Sequence, residues 1–213
     1  MPNHIANRVI IDGSLDDIKK IMNFVRSEES PFDFNKIVPM PETFKKYDTT
    51  NHPNGRGLEV GEKVNPWDAD SPIVTEELID EYTRATKEQA EVYGCVGWYD
   101  WSYSNWGTKW NCYDVVVLDD GAFEFNTAWC APLPVIQALS EIFLEVIINL
   151  DWADEDAGCN TGEATFEGGD ETSLVYFDNL SDEAWEQYFR LHEGYEEYYE
   201  KDENGKWRMK EEW

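Results

Sequence analysis

The sequence predicts an α+β fold in which an antiparallel sheet carries helices on one face. Three observations lead there: stretches of period-two alternation interleave with stretches of helical period, two of the strands flank a turn signal, and aromatic residues are abundant. Aromatics make up 15% of the 213 residues, too many for a disordered chain even at a formal net charge of −28. A chain of this length buries its own core as one domain, or as one domain with an insertion.

His4 to Asp12 carries Ile5, Val9, Ile10 and Ile11 and reads as a strand over 5–12, ended by Asp12-Gly13. Ser14 then caps a helix over 14–26, with Asp16 and Asp17 at its positive end and Leu15, Ile18, Ile21, Met22 and Val25 at helical spacing. Residues 33–38 read as a second strand, stopped by Pro39 and Pro41. An insertion over 42–97 follows that strand. It opens on an aperiodic stretch rich in Asn, Gly, Asp and Pro, to about Pro72, and closes on a helix over 75–93. Thr75 caps that helix, and Leu78, Tyr82, Ala85, Gln89 and Val92 share one face.

Residues 98–129 are the densest in aromatics and turn punctuation. Strands over 112–119 and 122–129 flank Asp120-Gly121, which suits a tight primed hairpin turn, and Phe123, Phe125, Thr127 and Trp129 oppose Glu124 and Asn126. Pro132 and Pro134 punctuate the start of a helix over 134–149, with Val135, Ile136, Leu139, Ile142, Phe143, Val146 and Ile147 facing the core. Two short strands over 163–178 join through Gly168-Gly169-Asp170. Ser181 caps a last helix over 181–199 with a stripe of Trp185, Tyr188, His192, Tyr195 and Tyr199, and a charged tail follows with Trp207 and Trp213 as anchors. The main domain is thus residues 1–180, and 181–213 form an acidic C-terminal helix and tail.

Charge narrows the function classes. With 45 acidic and 17 basic residues the chain repels phosphates, so direct nucleic-acid binding is excluded. Residues 151–213 hold a net −15 and the longer 1–150 portion −13, so acidity is denser toward the C-terminus. The opening residues lack a basic segment followed by an apolar one, and Ile142 to Leu150 is too short and too interrupted by Glu145 to span a bilayer, so a soluble protein of the bacterial cytoplasm is expected. Cys95, Cys112, Cys130 and Cys159 are too widely spaced for a zinc knuckle or redox pair and read as buried thiols. Asp154 to Glu163 fails the EF-hand pattern, since Gly158 and Cys159 fall at the fifth and sixth positions, and no metal or cofactor is expected. No nucleophile motif or phosphate-cradling loop is present, and His4, His52 and His192 are scattered, so catalytic residues are not assigned.

The run Asn105-Trp106-Gly107-Thr108-Lys109-Trp110, with Trp129, is the best binding candidate: the run's two indoles, ammonium and amide suit a stacked ligand or a peptide. Packing of Trp106, Trp110 and Trp129 beside the sheet, with Asn105 bonded to backbone, is the competing expectation. Three further segments join this run: Met1-Pro2-Asn3-His4-Ile5-Ala6-Asn7-Arg8, Phe34-Asn35-Lys36-Ile37-Val38-Pro39-Met40-Pro41 and Phe125-Asn126-Thr127-Ala128-Trp129. On these residues the chain resembles the phage and plasmid family with a YubB-type ferredoxin-like domain, over most of 1–178. Ala131 departs from the proline of the similar pattern. The resemblance implies a ferredoxin-like fold and a mobile-element origin, and brings no established activity. The functional expectation is a non-enzymatic, acidic interaction protein that engages a basic host protein through charge mimicry. Glu76, Glu77, Asp80, Glu81, Glu186, Glu193, Glu196, Glu197 and Glu200 would present the acidic surface. The alternative is a small-ligand module or an enzyme using the Asn105–Trp110 region.

Overall fold

The computed structural model of the protein describes residues 2–118 and 121–210, so Asp120 of the expected turn and Trp213 of the expected anchors lie outside the described residues. The chain forms two compact units, one from residues up to Val38 with those from Trp106 onward, the other Pro39–Asn105.

The first unit is built on a six-stranded sheet. Its strands are β1 (His4–Asp12), β2 (Tyr113–Val117), β3 (Ala122–Ala128), β4 (Ile147–Asp154), β5 (Gly162–Glu167) and β6 (Asp170–Tyr176), in the order β2-β3-β1-β4-β5-β6. Every resolved pairing is antiparallel. Helix α1 (Leu15–Phe24) follows β1, and helix α6 (Leu133–Ile142) links β3 to β4. The order β2-β3-β1-β4 with those two crossovers is the βαββαβ ferredoxin-like arrangement, and β5 and β6 extend it past β4.

The pairing register fixes the two faces. Ile5, Asn7, Val9 and Ile11 lie opposite Asp154, Trp152, Leu150 and Ile148 of β4, and Val9 and Asn7 lie opposite Phe123 and Phe125 of β3. This inner face carries the core. Phe32 packs on Phe123 and Phe125 at 4.9 and 5.2 Å, and Phe24 at the end of α1 meets Phe143 just past α6. Caps confirm the sequence reading of three helices: Ser14 accepts from Asp17 N–H, Thr75 from Leu78 N–H and Ser181 from Ala184 N–H.

Three expectations for this unit need correction. Residues 33–38 are no strand; Phe34–Ile37 form a short helix, α2, capped by Asp33, because Phe34 and Ile37 are both buried at a one-turn spacing. The inserted unit therefore follows a helix. The helix expected over 134–149 ends at Ile142, and 147–154 is the strand β4 beside β1. Val146, Ile148, Leu150 and Trp152 are all buried at period two with Asn149 and Asp151 between them, and Asp151 and Ala153 are buried on the other face. Finally, the last helix, α7 (Asp182–Leu191), is half the expected length, and past the left-handed Gly194 the chain folds into β7 (Tyr199–Lys201) and β8 (Trp207–Met209), a hairpin where a frayed tail was expected.

That C-terminal segment covers part of the outer face. Trp185 and Tyr188 cluster with Ala153, and Tyr199 and Trp207 pack on Trp185 at 5.0 and 6.0 Å. Arg190 pairs with Asp151 at 2.9 Å, tying the helix to the sheet. His192 stacks on Tyr188 at 4.3 Å and bonds the Tyr188 carbonyl through Nδ1 at 3.1 Å. Burial holds its imidazole below the usual range, partly offset by that hydrogen bond. The folded state thus keeps His192 neutral, so stability is full above the unfolded value of 6.5 and falls as pH drops below it toward the folded value. The expected result is that His192→Asn, which keeps a donor but does not titrate, gains melting temperature relative to the parent between pH 7.5 and 5. Equal pH slopes for the two proteins would refute it.

The second unit contains α3 (Glu42–Lys46), α4 (Glu76–Glu88), a π-helical turn over Gln89–Tyr93 and α5 (Trp98–Asn105). The helix α5 was not anticipated; Ser102 and Asn105 reach back to the carbonyls of Trp98 and Trp101, four residues earlier. The aperiodic stretch is also more ordered than its composition suggests: Pro53–Gly55 form a 3₁₀ turn, and Asn54 N–H bonds Thr86 Oγ1 of α4 at 2.9 Å.

Candidate functional site

The run from Asn105 to Trp110 separates by chemistry. Asn105 ends α5 and donates to the Trp101 carbonyl at 2.8 Å, the backbone role expected of it. Trp106 is buried, packs edge-on against Phe34 at 6.0 Å and donates through Nε1 to the Val38 carbonyl at 2.9 Å. Gly107 has φ +82°, and a Cβ there would stand 2.4 Å from Pro134 Cδ, so only glycine suits this turn. Thr108 is fully buried, and its hydroxyl donates to the Ala128 carbonyl at 2.8 Å while accepting Ala128 N–H at 3.2 Å. The first half of the run is therefore a brace between the turn and the end of β3.

Its second half faces solvent. Trp110 is 39% and Trp129 37% exposed, so of the three tryptophans expected to pack in or beside the sheet Trp106 alone is buried. Lys109 Nζ lies 4.7 Å from the Trp110 ring centroid and 4.6 Å from that of Trp129, so one ammonium serves two indoles. Trp129 is held in place by backbone: it adopts φ +69°, rare for a bulky residue, its N–H bonds the Asn3 carbonyl at 3.0 Å, and its carbonyl accepts from Asn160 at 3.4 Å. Trp110→Ala is expected to cost no more than about 1 kcal/mol, the worth of a cation–π contact and partial burial. A melting-temperature loss as large as that of a core tryptophan would show the ring to be buried.

Beside Trp129 the chain brings together residues that the sequence did not connect. Asp154 Oδ1 accepts from Asn3 at 3.0 Å and from Asp156 N–H at 3.0 Å, and its Oδ2 accepts from Asn160 at 3.1 Å. This carboxylate is buried and fully engaged, so the acidic loop after β4 is a structural node. Among the described residues no three His, Cys, Asp or Glu side chains come together as a metal site. A cavity of about 230 Å³ adjoins the node, lined by Cys130, Leu133, Pro134, Trp152, Asn160 and Tyr176. A cleft of about 530 Å³ opens elsewhere, between residues 26–31, Lys19, Met22 and the inner side of β2 and β3.

His4 and Asn7 do not converge, since they stand on opposite faces of β1. His4 Nδ1 lies 2.7 Å from the Tyr113 hydroxyl, whereas Asn7 is buried and donates to the Ile5 carbonyl and Thr127 Oγ1. Among the described residues the cysteines form no disulfide. Cys112 is buried, which raises its thiol far above the ordinary range, but Cys130 is exposed, contrary to the buried thiols expected.

The acidic candidates fall in both units. Glu76, Glu77 and Asp80 project from the first turns of α4, and Glu81 accepts from the Tyr47 hydroxyl at 2.9 Å. Glu186 is exposed on α7, Glu193, Glu196 and Glu197 are exposed past its end, and Glu200 on β7 pairs with Arg208 at 2.7 Å. No helix of the described residues is long and apolar enough to cross a membrane.

Comparison with known proteins adds one family. The model described as the ferredoxin-like domain in Api92-like protein matches residues 105–194, which run from the end of α5 through β2 to just past α7. A solved structure, the protein api92 from Yersinia pseudotuberculosis, is similar at a TM-score of 0.48 and 9% identity, over 84% of this chain and 99% of that one. Among curated proteins no match is found. Residues 105–194, less than half of the chain, are thus similar to the ferredoxin-like domain in Api92-like protein.

Proposed function

We propose that this is an interaction protein whose carboxylate-rich surface engages a basic site on a partner protein, one that otherwise holds nucleic acid. The observation that carries the reading is charge left uncompensated on an ordered frame. Of 45 acidic residues, seven are held in ion pairs among the described residues, against a net charge of −28. Carboxylates spaced along α4, or those around the end of α7, can each occupy the places of successive phosphates, and a field of this size steers a cationic partner into contact. The resemblance to phage and plasmid proteins makes a bacterial host protein the expected partner. The two Trp rings beside Lys109 do not favour a stacked small ligand, because their own lysine already lies over them.

The test is capture from a bacterial host extract followed by titration of the purified partner. The dissociation constant is expected to weaken by at least about tenfold between 50 and 300 mM salt, and duplex DNA should compete. Glu→Gln and Asp→Asn changes at Glu76, Glu77 and Asp80, or at Glu186, Glu193, Glu196 and Glu197, should weaken it further. Failure to hold any basic protein at low salt, or binding that survives both sets of amides, would reject charge mimicry.

A further inference from the structure

We propose that the loop over 61–74 is a preformed anchor, which inserts Trp67 into an apolar, basic-rimmed pocket on a partner protein. Trp67 is 95% exposed at the tip of this loop, so the indole contributes nothing to the core. The loop beneath it is nonetheless closely braced. Gly61 N–H bonds the Val74 carbonyl at 2.9 Å, Val74 N–H that of Glu62 at 2.8 Å, and Val64 N–H that of Pro72 at 3.0 Å, with an antiparallel bridge between Lys63 and Ile73. Across the tip, Asn65 N–H bonds Ser71 Oγ at 2.8 Å, Trp67 N–H bonds Asn65 Oδ1 at 3.1 Å, and Asp70 N–H bonds Asp68 Oδ1 at 3.0 Å.

Lys63 completes the frame by donating its ammonium to the carbonyls of Asp68 and Ala69, at 3.1 and 2.9 Å. Ordering that serves no core has the property of a binding element that meets its entropy cost in advance, and tryptophan is the residue that most often anchors such contacts. Val60 and Ile73, also exposed, widen the apolar contact around it.

Charge selects the occupant. Glu59, Glu62, Asp68 and Asp70 are exposed around the loop, and none is in an ion pair among the described residues. These carboxylates oppose an anionic lipid surface and a second copy of the same chain. They match a pocket rimmed by Lys and Arg, and the partner's basic character rests on the function proposed above.

The experiment uses the full chain labelled with 5-fluorotryptophan, with the Trp67 resonance assigned from Trp67→Phe. On adding bacterial host extract at 50 mM salt, that resonance is expected to shift or broaden, and excess unlabelled parent, but not Trp67→Ala, should restore it. With the partner purified, Trp67→Ala should weaken binding about thirtyfold and Trp67→Phe by less, at unchanged melting temperature. An unmoved resonance in extract that still binds through the α4 and α7 carboxylates overturns the anchor and leaves the charge reading standing. A resonance that responds only to phosphatidylglycerol vesicles, or only to the protein's own concentration, overturns it as well. Absence of any binding overturns both.

Discussion

Replacing Trp106 with Ala is expected to cost the sheet-bearing unit about 3–5 kcal/mol, the range for removing a large buried aromatic whose surroundings cannot collapse. The indole is buried against Phe34, and Phe34 in turn packs against Phe125 of β3 at 5.8 Å, so truncation opens a hole at the edge of the inner core. It also removes the indole N–H that donates to the Val38 carbonyl. Trp106→Phe should recover most of the packing and still leave that carbonyl unmatched, placing it about 1–2 kcal/mol below the parent. Chemical denaturation followed by sheet circular dichroism measures both. The prediction fails if Trp106→Ala unfolds at the parent's midpoint, or if Trp110→Ala, four residues on and exposed, proves equally damaging.

Those two tryptophans also mark how far the sequence could be read. Apolar alternation in 122–129 identified β3 because its inner face is buried and its outer face is not, the case in which period two is plainest. The Ser14, Thr75 and Ser181 caps were legible for a similar local reason: a short polar side chain ahead of an amphipathic run has one dominant use. In contrast, β4 was hidden because Phe143, Val146 and Ile147 continue the helical spacing of α6 past its end, which masks the alternation of Ile148, Leu150 and Trp152 with Asn149 and Asp151. Phe34 and Ile37 were misread because four residues are too few to show a period, and β7 and β8 because their contacts with Trp185 are tertiary.

The candidate site was half legible. The Asn105 to Trp110 run was found by composition, but nothing local says which indole is buried; that depends on Phe34 and Val38, far away in sequence. The node of Asn3, Asp154 and Asn160 could not be found at all without β4, since β4 brings Asp154 across from Ile5. A sequence signal did exist in the β-branched pair Ile147-Ile148 after Leu144-Glu145, where a helix with one buried stripe would have placed a charge amid apolar residues.

In the Pro39–Asn105 unit, Gln89→Leu is expected to lose about 3–5 kcal/mol of local stability, although it replaces a polar residue with an apolar one of similar size. The Gln89 carboxamide is fully buried and has partners on both of its polar atoms. Oε1 accepts from the Thr49 hydroxyl and from Gly97 N–H at 3.1 Å, while Nε2 donates to the Thr43 carbonyl at 3.0 Å and to Thr43 Oγ1 at 3.3 Å. One side chain thereby ties α3, the segment before the 3₁₀ turn and the start of α5 to the end of α4, at the point where the helix widens into its π turn. A leucine takes away the acceptor of the Gly97 N–H and of the fully buried Thr49 hydroxyl, and each such group costs about 1–3 kcal/mol. Hydrogen exchange separates this from a general loss of stability. Amides of α4 and α5 should lose protection in Gln89→Leu while those of β1, β3 and β4 keep theirs, and unchanged protection in α4 would show that the amide network contributes little.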